Sequence, residues 1–144
     1  MTSYGGPMTE QEDRQARFDR GMALFNEVSG GQGQAVLDSL ADVSPELAYQ
    51  TVAWGFGEIY SRPQLPPRDR QLVTIGMLTA LGGCEAQLRV HVNTSLNVGL
   101  TPAEIVEAML QAAGYCGFPR ALNATAVAKA VFAERGLLPV DTDQ

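Results

Sequence analysis

Histidine is almost missing from this chain. Its 144 residues include one, His91, beside two cysteines, Cys84 and Cys116, and a single tryptophan, Trp54. One imidazole and two thiols leave a zinc site short of ligands within one copy, and two cysteines are too few for a secreted disulfide scaffold, so no metal is expected. Runs of apolar residues long enough to span a bilayer are absent as well. The opening "MTSYGGPMTEQEDRQARF" has neither the apolar core of a secretory leader nor the Arg-rich, acid-free composition of an organelle-targeting one. A cytoplasmic protein with no membrane partner is the expectation. Basic residues are outnumbered, ten to sixteen, and scattered rather than gathered in a stripe, which argues against a nucleic-acid partner.

Period-two alternation is also lacking over more than a few residues, so the expected fold class is all-α. Residues 1–8 read as a Gly-rich flexible tail, 9–138 as one domain and 139–144 as a second tail. Thr9 and Glu12 form a capping-box pattern opening a helix with Met22, Phe25 and Val28 on one side, and "SGGQG" ends it. A short segment around Val36, Leu37 and Leu40 comes next. Ser44-Pro45 then starts a helix reaching about Tyr60. Pro63, Pro66 and Pro67 interrupt the chain, and Pro67 can open a helix that is apolar around most of its circumference as far as Gly82-Gly83. The next helix runs to Gly99. Thr101, Pro102 and Glu104 mark another start, "YCGFP" ends that helix, and "RALNATAVAKAVFAERG" forms the last, with Leu122, Val127 and Val131 expected inward.

The segments at about 84–98 and 102–115 have similar lengths and a turn of about three residues, so they should form a central antiparallel hairpin. Cys84 and Cys116 would each lie about 20 Å from the turn, at the open end, with Tyr115 nearby. On the first arm, Cys84, Gln87 and His91 are spaced i, i+3 and i+7 and share one face. From spacing, this polar stripe serves equally as a thiol site, an acid/base pocket or a packed helix face. Gly55 and Gly57, beside Trp54 and Phe56, point to close packing or close approach of a ligand, with core packing expected for both aromatics. Glu85 and Arg89 read as an i, i+4 surface pair, and Arg68 and Asp69 as surface charges.

The string "RDRQLVTIGMLTALGGCEAQLRVHVNTSLNVGLTPAEIVEAMLQAAGYCGFPRALNA" resembles the carboxymuconolactone decarboxylase family. The carriers are an "RxRxLVTI" helix start, a histidine followed by "N-x-G-x-T-x-x-E-I", and the closing "YCGFPRALNA", with upstream likeness through "WGFGEIYSRPQL". The resemblance implies the compact all-α alkylhydroperoxidase D-like subunit, assembled as a homo-oligomer, trimer or hexamer. That superfamily's redox branch carries Cys-x-x-Cys-x-x-x-His. Here Cys84 and His91 fit that pattern, but Gln87 replaces the resolving cysteine and Gln71 stands nearest the branch's glutamate.

The decarboxylase branch is therefore the one implied. Its reaction removes carbon dioxide from a small anionic lactone such as 4-carboxymuconolactone, through a dienolate, without a cofactor. Laid on that chemistry, His91 delivers a proton, Arg70 clamps a substrate carboxylate, and Glu58 orients His91 or acts as an acid. Gln87, Cys84, Trp54, Tyr115 and Cys116 would line the substrate pocket. Two alternatives remain open: a thiol-dependent peroxidase using Cys84, and a non-catalytic oligomer that binds a small ligand.

Overall fold

A computed structural model describes residues 10–143. The capping-box pattern at Thr9 and the tail at 1–8 lie outside the described residues, as does Gln144. Every regular element among them is helical: α1 (Glu10–Ser29), α2 (Gly33–Leu40), α3 (Pro45–Gln50), which continues as a π-helix over Thr51–Tyr60, α4 (Pro67–Leu81), α5 (Glu85–Asn97), α6 (Pro102–Cys116) and α7 (Phe118–Glu134). The all-α reading holds. The chain gathers into two compact units, 1–64 and 65–144.

In the first unit, Ser44 caps α3 by accepting from the N–H of Leu47, with Pro45 in the first turn. The π-helix that follows packs along α1. Glycine makes this approach possible: a Cβ on Gly57 would sit 2.7 Å from the Arg17 carbonyl oxygen, and one on Gly21 would collide with the Val52 carbonyl. Phe25 and Phe56 stack at 4.1 Å inside the contact. Close packing thus explains Gly57, whereas Gly55 has no comparably tight neighbour. Trp54 departs from expectation, being 56% exposed rather than core. Within the π-helix, Glu58 accepts an ion pair from Arg17 Nε at 2.6 Å, and Arg20 Nε donates to the Gly57 carbonyl at 2.9 Å.

The second unit contains α4 to α7. Pro67 occupies the first turn of α4, and Gly82, at φ +66°, closes its C-terminus. Thr101 and Glu104 complete a reciprocal capping box at the start of α6. Helices α4 and α7 each pack on both α5 and α6, while α5 and α6 meet each other only briefly. The core is built from Ile75, Leu88, Val92, Ile105, Met109, Ala128, Val131 and Phe132. Leu122, expected inward, is exposed because α7 starts at Phe118 and turns Ala121 and Ala124 to the core instead. Arg89 pairs with Glu134 across to α7 rather than with Glu85 on its own helix. The Arg68 guanidinium likewise reaches Glu104, joining the first turns of α4 and α6.

Candidate functional site

Helices α4 and α5 are consecutive, joined by Gly82-Gly83, and they pack together. A residue early in α4 therefore faces one late in α5. That register brings Gln71 to His91: the histidine Nδ1 lies 2.9 Å from Gln71 Oε1. Gln71 is only 1% exposed, so its amide is a fixed partner. Because the contact is to the amide oxygen, Nδ1 donates and carries the ring proton, which leaves a lone pair on Nε2. Burial lowers the His91 pKa from 6.5 to about 4, so the ring is neutral at neutral pH. One turn further on, Ser95 Oγ donates to the His91 carbonyl at 2.6 Å.

The anticipated site residues of the second unit, Gln87, Arg70, Cys84, Tyr115 and Cys116, are distributed around it rather than gathered on His91. Gln87 lies one turn before His91 on α5 and is exposed. Arg70 Nε donates to the Leu65 carbonyl at 3.1 Å, holding the guanidinium at the start of α4. Cys84 is the N-cap of α5, and its thiol donates to the Leu78 carbonyl at 3.3 Å. Cys116, the last residue of α6, donates to the Ala112 carbonyl at 3.0 Å. Both cysteines are free thiols.

They also line different cavities. Cys116 and Tyr115 border one of about 730 Å³ between α4 and α6, whose walls include Leu72, Val73, Ala108 and the Arg68–Glu104 pair. Tyr115 is 89% exposed there. The Thr101 N–H and the Arg68 guanidinium hold the Glu104 carboxyl below the usual range. Cys84 borders a smaller cavity, of about 290 Å³, beside the first turns of α5 and α7. Glu58 and Trp54 belong to the first unit. Gln71 orients His91 at Nδ1, and within the first unit the Glu58 carboxylate is held by Arg17. Among the described residues no three His, Cys, Asp or Glu side chains cluster as a metal site would require. No described helix is long and apolar enough to cross a membrane.

Residues 45–130 match the model of the carboxymuconolactone decarboxylase family. The chain belongs to this family. A 4-carboxymuconolactone decarboxylase of Acinetobacter baylyi is 35% identical over 124 residues, covering 85% of this chain and 92% of that protein. A nitrosuccinic acid decarboxylase of Metarhizium robertsii is 32% identical over 127 residues, covering 83% of each. An uncharacterised 15.0 kDa protein of Paracoccus denitrificans is 34% identical over 91 residues, covering 62% of this chain and 68% of its own. Two relatives named for different substrates are thus both decarboxylases, and carboxy-lyase chemistry is the reaction class these likenesses support.

One feature of the site had little signal in the sequence. Gln71 was marked only by standing near the redox branch's glutamate, since a glutamine in an apolar helix carries no signal that it will meet a histidine.

Proposed function

We propose that the protein is a cofactor-free decarboxylase of a small carboxylic acid, with His91 as the proton carrier. The observation that carries this reading is the buried Gln71–His91 pair, which fixes one ring nitrogen and leaves the other to act. The named relatives' substrates share a chemical logic: loss of carbon dioxide leaves an electron pair that a conjugated lactone carbonyl or a nitro group can accept. A substrate of this chain would carry such an acceptor placed to take up the electron pair that the departing carboxylate leaves on carbon, and 4-carboxymuconolactone is the first to test.

In the proposed step the bond between the substrate carbon and its carboxylate breaks, and its electron pair spreads onto the acceptor as carbon dioxide leaves. His91 Nε2 takes a proton from solvent as this anion forms beside it, then passes that proton to carbon. The imidazolium exists only while the anion is there to stabilise it, which suits a ring whose burial disfavours charge in the empty site. Gln71 is a positioning residue, because it acts through the ring it holds. Gln87, on the same face of α5, donates to the acceptor oxygen, and Arg70 clamps a substrate carboxylate. Tyr115, Cys84 and Cys116 are left with supporting roles at the cavity walls.

A homo-oligomer, trimer or hexamer, belongs to the same reading. Leu72, Val73, Met77 and Leu81 expose an apolar face of α4 that a second subunit would cover. The test of function is carbon dioxide release from a panel of small acids, with and without a conjugated acceptor. Turnover confined to acids bearing the acceptor is the expected result. Turnover of none of them, with peroxide consumed instead, would overturn the reading.

A further inference from the structure

Helix α7 ends on a fixed point. The Arg135 guanidinium donates to the Asn93 carbonyl at 3.2 Å and to Asn97 Oδ1 at 3.2 Å, which ties the end of α7 to α5. The Leu137 N–H closes the helix on the Phe132 carbonyl at 2.8 Å, and Gly136, at φ +68°, turns the chain there. Helices α6 and α7 are joined through Gly117 alone and pack together, so the end of α7 returns to the start of α6. The segment that leaves it, 137–143, therefore begins at the Leu100 end of the α4–α6 pair.

This segment is held differently from the helix it follows. Leu137 and Val140 pack against the core of the second unit, while Leu138 between them is exposed. Asp141, Thr142 and Asp143 are exposed, and the Asp143 N–H donates to Asp141 Oδ1 at 3.0 Å, so the tip bonds to itself. Among the described residues no hydrogen bond runs from 138–143 to a helix. Beyond the fixed helix end the seat is one half-buried valine. A segment so placed, without a polar tie, belongs to the least stable parts of a fold and can leave its seat while the helices stay intact.

What the tip touches gives the segment a use. Thr142 forms part of the wall of the cavity of about 730 Å³, and among the described lining residues it alone comes from outside α4, α6 and the turn between α5 and α6. A Cβ built on Gly76, in the α4 wall, meets nothing within 4 Å, so the space is open down to the backbone of that helix. Leu72, Val73, Leu100 and Ala108 make the walls largely apolar. The cation among them, Arg68, is bound to Glu104, which leaves Glu107 as a carboxylate without a cation, and the tip of the segment adds Asp141 and Asp143. Such a lining disfavours anions and suits an uncharged, ring-sized apolar molecule. Neither Gln71 nor His91 is among the lining residues.

From this arrangement we infer that 137–143 is a lid: it lifts from its valine seat to admit an uncharged, largely apolar ligand to the cavity between α4 and α6, then closes with Thr142 against that ligand. The described conformation is the closed one. A ligand that touches the lid stabilises the closed form, and by linkage whatever loosens the lid weakens the hold on the ligand. The inference does not rest on the decarboxylase reading, because its test is binding and the accessibility of the chain end rather than turnover.

The experiment uses the full chain and Nile red, an uncharged dye whose fluorescence rises in apolar surroundings. Two readouts are followed: dye dissociation by stopped flow, and release of the residues beyond Pro139 by carboxypeptidase Y. Wild type should bind the dye, and saturating dye should slow that release by about fivefold or more. Val140→Ser removes the seat at a half-buried position outside the helices, so it should keep the wild-type circular dichroism, lose its chain end faster without dye, and release the dye about fivefold faster or more. Gly76→Leu fills the cavity from its α4 wall and should abolish both dye binding and protection, leaving digestion without dye as in wild type. No dye binding by wild type, binding that leaves digestion of the chain end unchanged, or equal dissociation from wild type and Val140→Ser would overturn the proposal.

Discussion

The two compact units spend their polar groups in opposite ways. In the first, Arg17 is matched to Glu58, Arg20 to the Gly57 carbonyl, and Gly21 and Gly57 bring α1 and the π-helix to backbone contact. In the second, the half-buried His91 has one nitrogen fixed and one left over, Thr79 holds an unmet hydroxyl, and α4 shows an apolar face to the outside. Saturated polar groups and tight glycine contacts make a rigid scaffold. Unspent ones are where a ligand, a proton or another subunit can add something the isolated chain lacks.

The sharpest way to break this contrast is to remove the unspent nitrogen. His91→Ala should lower kcat by about 10²–10⁴-fold, the usual worth of a positioned proton carrier, in steady-state assays of carbon dioxide release. Its fold should survive, as judged by circular dichroism. Gln71→Glu should act through the ring instead. A carboxylate at 2.9 Å from Nδ1 raises the histidine pKa by one unit or more, visible in an NMR titration that is unambiguous because the chain has one histidine.

Acid stability carries the next largest effect. The folded-state pKa of His91 lies below its unfolded value, so between 6.5 and about 4 the unfolded chain binds the extra proton. Stability is therefore full above pH 6.5 and is lost as pH falls through that window. A shift from 6.5 to about 4, at about 1.4 kcal/mol per unit, amounts to about 3 kcal/mol. Urea melts from pH 7 to pH 4 should show this slope in wild type and lose it in His91→Gln. Glu46 and Glu104, whose carboxyls Arg14 and the Thr101 N–H respectively hold below the usual range, push in the same direction at lower pH.

Glycine substitutions sharpen the scaffold side of the comparison. Gly21→Ala forces a methyl against the Val52 carbonyl and should cost about 1–3 kcal/mol. Gly76→Ala, in α4 with open space around it, should stabilise the chain by about 0.5–1 kcal/mol. Denaturant midpoints of the two variants should move in opposite directions. The smallest effect belongs to the thiol. Cys84→Ala should change kcat by less than about threefold, since its S–H is committed to the Leu78 carbonyl and Gln87 offers no resolving sulfur.

Local chemistry was legible in the sequence where it is decided locally. Ser44-Pro45, Pro67 in the first turn of α4 and the Thr101–Glu104 capping box all stand where their side chains alone would put them. The π-helix was not legible, because it accompanies a glycine-to-backbone approach between residues 40 and 31 positions apart, Gly57 on the Arg17 carbonyl and Gly21 on the Val52 carbonyl. The partner choices of Arg89 and of Leu122's helix face were likewise settled by packing. For the site, the sequence pointed to His91 but not to the state of its ring. Neutrality comes from burial, and orientation from Gln71, which is twenty residues away and meets it only through the register of α4 on α5.

The central claim is that His91 carries the proton in a decarboxylation, and carbon dioxide release from 4-carboxymuconolactone by wild type and His91→Ala, across pH 5 to 8, tests it most directly. The account predicts turnover by wild type with kcat/KM nearly level over that range, the neutral ring being the resting form throughout, and at least a hundredfold loss in the variant. Equal turnover by the two proteins, or a wild-type rate climbing about tenfold for each unit of falling pH, would contradict it.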